Sequence, residues 1–122
     1  MSYQILGMLG AGLVLGISAF GTAIGMGISG TAGIGAAKRC FKANKAAPML
    51  MLTFVGFPLT ETIYGFIIMQ QMLAVAVTPE NAGMLLGYGI GAGITMAMVA
   101  IAEGKAGAAA FHSVSLGEAG GT

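Results

Sequence analysis

The chain has 122 residues, of which 57% are hydrophobic and 7% charged, and its net charge is +1. A soluble domain carries roughly 25% charged residues. This chain has no polar shell to hold it in water, so it reads as a membrane protein. It has no basic run long enough to track a phosphate backbone, which excludes nucleic acid as a partner. The single cysteine, Cys40, excludes an intrachain disulfide and a thiolate metal cluster.

Residues 1–37 carry no charge. No basic segment precedes this apolar run, and it is longer than the apolar part of a signal peptide, so a retained helix is expected over about 4–37. A helix needs only ~20 residues to span a bilayer, so the end near Lys38 should project into water. The pairs Gly12/Gly16 and Gly21/Gly25 have the small-x-x-x-small spacing that lets helix backbones approach closely. "GMGISG" (Gly25 to Gly30) matches the dinucleotide pattern in form. No strand precedes it and no βαβ unit surrounds it, so it is read as helix packing.

Next comes a basic loop, 38–47, holding Lys38, Arg39, Lys42 and Lys45, four of the five Lys and Arg residues. The positive-inside rule places it in the cytoplasm and the N-terminus outside. Cys40 reads as a bystander thiol in that loop. A second helix is expected over about 48–77. It is bulkier, rich in Met, Leu, Phe and Ile, and suits an outer, lipid-facing layer. "TPEN" (Thr78 to Asn81) is a turn signal.

A third helix is expected over about 82–112, with a Gly89/Gly93 pair in "GYGIGAG". At an offset of 74 residues it repeats the first: Ser29 aligns with Glu103, Gly30 with Gly104 and Gly33 with Gly107. Strands are disfavoured, because a transmembrane strand would alternate strictly over ~10 residues. The fold class is therefore an all-α membrane protein built on a duplicated transmembrane helical hairpin. Residues 1–77 form the first hairpin. Residues 82–122 supply the first helix of a second hairpin and a polar C-terminal end.

One residue breaks the pattern. Glu61 is the only charge between residues 46 and 79, and it lies almost at the centre of that span. A charge near the bilayer midplane costs at least ~2.5 kcal/mol, and such residues mark ion and substrate pathways. The resting carboxyl should be protonated or ion-paired, which suits a carrier of a proton or a cation. The plainer reading is a hydrogen bond that only joins helices, although Asn or Gln would do that at lower cost. Thr60 can offer a hydroxyl, and Tyr64, one turn on, can cap the site. Thr62 is expected to bond its own backbone. Pro58 frees the carbonyl of Phe54.

Reflecting Glu61 about the turn at 78–81 puts its partner near residue 99, one turn from Glu103. Two carboxylates sharing one site are not both ionised when empty; a Na⁺ and one proton would neutralise them. Hard oxygen ligands suit that cation. Alternatively, Glu103 is hydrated near the cytoplasmic surface, with Lys105 close by.

These features resemble a known family. A glycine-rich inner helix, a basic cytoplasmic loop, "FPLTETIYGF" (Phe57 to Phe66) and "AIAEGKAGAA" look like the proteolipid of rotary ATPases, the family of ring proteolipids that includes the V/A-type subunit K. The resemblance covers the whole chain. It implies a homo-oligomeric ring in the cell membrane, whose carboxylates carry H⁺ or Na⁺ past a stator subunit bearing an arginine. Ring rotation would couple that flow, through central-stalk subunits, to ATP synthesis or hydrolysis in a soluble head. The chain would not be catalytic alone and would need no cofactor beyond the transported ion.

Carried over residue by residue, Phe57 would give a backbone carbonyl, Thr60 a hydroxyl, Glu61 the carboxylate and Tyr64 the cap. Glu103 falls where sodium-binding relatives place a Gln. For Na⁺, the metal ligands would be Glu61, Thr60 and Glu103. Typical subunit K chains have four helices, with the essential Glu on the fourth. Three are present here, so the sequence is either cut short before the fourth or a three-helix variant whose outer carboxylate is Glu61. The first alternative function is a small oligomeric proton-coupled multidrug or solute transporter, and the second a purely structural oligomer.

Overall fold

The structure, a computed structural model, describes residues 2–49 and 51–119, without the side chains of Met51, Glu118 and Ala119. It is helical, with no strand among the described residues. Helix α1 runs Ser2–Lys42, α2 Met51–Gly56, α3 Leu59–Leu73 and α4 Ala82–Ala119. Three stretches are long and apolar enough to cross a membrane: Ser2–Lys42, Leu52–Leu73 and Ala82–Gly117. The first has 41 residues. At 1.5 Å per residue that is about 60 Å, twice the ~30 Å hydrocarbon core, so its end stands in water.

The expected boundaries shift in four places. Lys38, Arg39 and Lys42 belong to α1, not to a loop; only the following segment is irregular. Cys40 is likewise helical, and fully buried instead of idle in a loop. The third spanning helix continues past residue 112 to Ala119, and the remaining C-terminal end lies outside the described residues. The second helix ends at Leu73 and is broken in two at Phe57–Pro58. The break follows from chemistry: Pro58 has no N–H to continue the hydrogen-bond ladder, and its ring crowds the preceding turn. The chain resumes with three-residue bonds, Thr60 N–H to Phe57 O and Glu61 N–H to Pro58 O, both a long 3.3 Å.

The most extensive contact is between α1 and α4, which lie parallel. Their seam is backbone against backbone. A Cβ at Gly21 would strike Ala97, one at Gly25 the Ala100 carbonyl, one at Gly104 the Gly25 backbone, and one at Gly89 the Gly10 backbone. Gly93 instead packs on the Ile17 side chain and beside the Leu13 carbonyl. Small residues thus set the distance of closest approach. The Gly12/Gly16 pair takes no part in this seam: within the chain both face open space.

Helices α2 and α3 lie antiparallel to α1 in the groove of this pair. At one end, Ala11, Val14, Met72, Leu85 and Met96 form an apolar core. At the other, Phe111 packs on Gly33 and meets Phe54 edge-on, with ring centroids 5.3 Å apart.

Each turn is held by its own chemistry. Asn44, with φ of 57°, adopts the left-handed conformation that ends α1, and Lys45 N–H reaches back to Cys40 O at 2.9 Å. Before α4, Thr78 and Asn81 cap each other. Asn81 Oδ1 accepts the Thr78 N–H at 2.8 Å, and Thr78 Oγ1 accepts the Asn81 N–H at 3.2 Å.

At the basic end, Arg39 Nη1 donates to Ser115 Oγ at 3.1 Å and lies 3.2 Å from His112 Nδ1, joining α1 to α4. The buried Ser115 hydroxyl in turn donates to the His112 carbonyl.

Candidate functional site

The buried face of α3 is short: Glu61, Gly65 and Met72, with Pro58 just before it. These positions are three, four and seven residues apart, the repeat of one helical face. Gly65 lets α3 close onto α1, because a Cβ there would collide with the Ser18 side chain. Glu61, one turn earlier, is carried inward by the same approach and is only 6% exposed.

The Glu61 carboxyl is within hydrogen-bonding reach of the Glu103 carboxyl on α4. Glu103 is half-buried. Thr60 Oγ1 donates to the Phe57 carbonyl at 3.0 Å and lies 3.5 Å from Glu103 Oε2. Phe57, Thr60, Glu103 and Ala106 line a pocket of about 250 Å³. Two carboxyls, a hydroxyl and a backbone carbonyl therefore converge at the helix break. Two carboxylates in contact repel when both are ionised, so a shared proton or a bound cation relieves them. All four groups are oxygens, the donor type that hard cations favour. Among the described residues, no group of three or more His, Cys, Asp and Glu side chains is placed to hold a metal.

Of the residues singled out from the sequence, Phe57, Thr60, Glu61 and Glu103 come together. Tyr64 does not join them: it is 54% exposed, on the outer face of α3. The Phe54 carbonyl freed by Pro58 also lies elsewhere. It faces α4 at Gly107, where an added Cβ would come within 2.8 Å of it.

Thr62 corrects its expectation. Its hydroxyl leaves its own helix and donates to Thr22 Oγ1 on α1 at 2.8 Å. Thr22 Oγ1 donates in turn to the Pro58 carbonyl at 3.0 Å. Sequence reasoning passed over Thr22. A threonine in a glycine-rich helix carries no local signal, and the contact spans 36 positions.

A parallel, glycine-packed helix pair, a broken helix laid across it, and two carboxyls meeting within membrane-length spans define a class. It is a helical-hairpin membrane protein built around an embedded carboxylate pair. The chain belongs to the ATP synthase C-subunit family, whose model matches residues 9–72. The matched segment holds Phe57, Thr60 and Glu61 but stops before Glu103. The chain is also 34% identical, over 111 residues, to the A-type ATP synthase subunit K of Methanocaldococcus jannaschii. That likeness takes in 91% of this chain and 48% of the relative, so the chain spans about half the relative's length. No solved structure matches significantly. Family membership gives no support to the transporter reading.

Proposed function

We propose that the chain is an ion-translocating ring subunit of a V/A-type rotary ATP synthase or ATPase, and that Glu61 carries H⁺ or Na⁺ with Glu103 as its partner. The observation that carries the reading is the contact between the two carboxyls beside the Thr60 hydroxyl. Membership of the ATP synthase C-subunit family and likeness to a relative named as an ATP synthase subunit support it.

With one proton on the pair, a Na⁺ or a second proton makes the site neutral. Only a neutral site can face hydrocarbon, where an uncompensated charge costs at least ~2.5 kcal/mol. A ring of such subunits could therefore turn through lipid when loaded. On meeting a fixed cation, such as an arginine of a stator subunit, the carboxyl would release its ion, because the new charge partner replaces the old.

In this role the subunit is not catalytic alone; ATP chemistry belongs to a soluble head reached through central-stalk subunits. The basic end, with Lys38, Lys42 and Lys45, would face the cytoplasm.

The test is to label the membrane-embedded complex with dicyclohexylcarbodiimide over a range of pH and Na⁺. Modification of Glu61 together with loss of ATP-driven ion uptake is expected. Suppression of the labelling by Na⁺ identifies a sodium carrier, and insensitivity to Na⁺ a proton carrier. Absence of modification at every pH would sink the carrier role.

A further inference from the structure

Helix α3 is cut from α2 just before its functional residues, and a cut helix needs something to hold its new end. The first turn of α3 carries Thr60 and Glu61, and its backbone bonds are long: both Thr60 N–H to Phe57 O and Glu61 N–H to Pro58 O measure 3.3 Å. The Pro58 carbonyl, which accepts the Glu61 N–H, also accepts the Thr22 hydroxyl at 3.0 Å. Thr22 is buried, and its oxygen is held in turn by the Thr62 hydroxyl at 2.8 Å. Each hydroxyl has one donor direction. Thr62 donates to Thr22, so Thr22 is left to donate to Pro58, and the order of the chain is fixed. The relay ties α1 to both sides of Glu61, at Pro58 before it and at Thr62 after it. Pro58 itself is fully buried against Gly25 of α1.

From this geometry we infer that Thr22 is a positioning residue of the carboxylate site: through the Pro58 carbonyl it sets where the Glu61 carboxyl and the Thr60 hydroxyl stand relative to Glu103. The inference rests on the ion-carrying role proposed above. Among the described residues the Thr22 hydroxyl bonds to Thr62 and the Pro58 carbonyl and does not line the pocket, so its route to the carboxyls is the backbone of the break. A methyl-bearing Val fills the same volume without the hydroxyl, and Ser keeps the hydroxyl without the methyl. Those two substitutions separate hydrogen bonding from packing.

The test uses the assembled ATPase complex in membranes, as wild type, Thr22→Val, Thr22→Ser and Thr62→Val. Two quantities are measured in each. One is the rate at which dicyclohexylcarbodiimide labels Glu61. The other is ATP-driven ion uptake against Na⁺ concentration at fixed pH, and against pH in sodium-free medium. The Na⁺ or H⁺ concentration at half-maximal uptake is read apart from the maximal rate.

Thr22→Val should raise the half-maximal concentration about tenfold, the scale set by one buried hydrogen bond, and shift the labelling with it: slower at a given pH for a proton carrier, less suppressed at a given Na⁺ concentration for a sodium carrier. Thr22→Ser should return both to within about twofold of wild type. Thr62→Val leaves the Thr22–Pro58 bond in place and should move them about threefold. A purely structural role would lower assembly and maximal rate with no shift in half-saturation, and that result would overturn the inference. So would Thr22→Val behaving as wild type. If Thr22→Val does not assemble, Thr62→Val decides, and an unshifted half-saturation there overturns the inference. A wild type whose Glu61 is never labelled removes the ion-carrying role, and this inference with it. A labelled wild type beside an unaltered Thr22→Val removes this inference alone.

Discussion

Helix α1 has two working faces, built by opposite means. Toward α4 it offers Gly21 and Gly25, and the contact is backbone on backbone with no room for one more carbon. Toward α3 it offers Ser18 and Thr22, and at Thr22 the contact is a run of hydroxyl bonds to a broken helix. The first seam is a matter of shape. It needs no polar group and tolerates almost no substitution, because close-packed backbones cannot shift far. The second depends on hydrogen bonds in a region shielded from water, where each bond lost leaves a partner unsatisfied. The carboxyls meet where the two seams join: Glu61 comes in on α3 and Glu103 on α4. A rigid pair of helices thus fixes one carboxyl, and an adjustable hydroxyl relay fixes the other.

The sharpest way to break that comparison is to remove the carboxyl that the relay positions. Glu61→Gln should reduce ATP-driven ion uptake to background and abolish carbodiimide labelling at that position, while the spanning helices persist by circular dichroism. Retained uptake would leave Glu61 as a joint between helices and nothing more.

The shape-built seam is tested by adding one methyl group. Gly104→Ala drives a Cβ into the Gly25 backbone, and overpacking of this kind costs about 1–3 kcal/mol or more. Gly91 faces open space within the chain, so Gly91→Ala should be neutral, or stabilising by up to about 1 kcal/mol from helix propensity. Thermal melts of the two variants in detergent should diverge. Equal melting temperatures would mean that α1 and α4 are not in backbone contact.

The polar seam should respond through binding instead of folding. Thr60→Val removes a hydroxyl 3.5 Å from Glu103 Oε2, and the loss of one such interaction is worth about 1 kcal/mol. The ion concentration that protects Glu61 from carbodiimide should rise about five- to tenfold, with little change in the melt. A large fall in melting temperature with unchanged protection would reverse the assignment.

The smallest effects lie at the basic end. Arg39→Ala removes the bond to Ser115 and should lower stability by about 0.5–1.5 kcal/mol, since that bond is partly exposed. Cys40, fully buried on α1, should resist a water-soluble maleimide until the chain is unfolded. Rapid labelling of the folded protein would return that residue to a loop.

Much of this was legible in the residues because each feature has a local cause. Uncharged runs longer than ~20 residues must be helical in lipid, since no water is there to satisfy an open backbone. A lone Glu at the centre of such a run marks a site whatever the fold. Pro58 marked a disturbed ladder with the Phe54 carbonyl freed, because its missing N–H is a property of one residue, but the helix expected over about 48–77 is continuous and the full break was not legible. Even the Glu61–Glu103 partnership could be reached by reflecting residue numbers about the turn at 78–81, since antiparallel helices rise by equal steps.

Other features depended on which faces meet. The four basic residues looked like a loop because charge clusters outside membranes, yet α1 carries Lys38, Arg39 and Lys42 on its last turns. Gly12/Gly16 has the same spacing as Gly21/Gly25, but only the latter pair lies on the α4 side. Helix rotation decides that, and spacing alone does not encode rotation. Tyr64, one turn from Glu61, points outward.

The sequence by itself determined the membrane class, the number of spans and the acid in the middle of the second span, because each follows from solvation; it placed Pro58 in that span but not the full break that the structure shows. Only the tertiary structure decided that Thr62 reaches across to Thr22, that Thr22 holds the Pro58 carbonyl, and that Phe57, Thr60 and Glu103 line one pocket. Those contacts join residues tens of positions apart. They exist because α1 and α4 approach backbone to backbone at Gly21, Gly25, Gly89 and Gly104 and leave α3 a groove in which to lie.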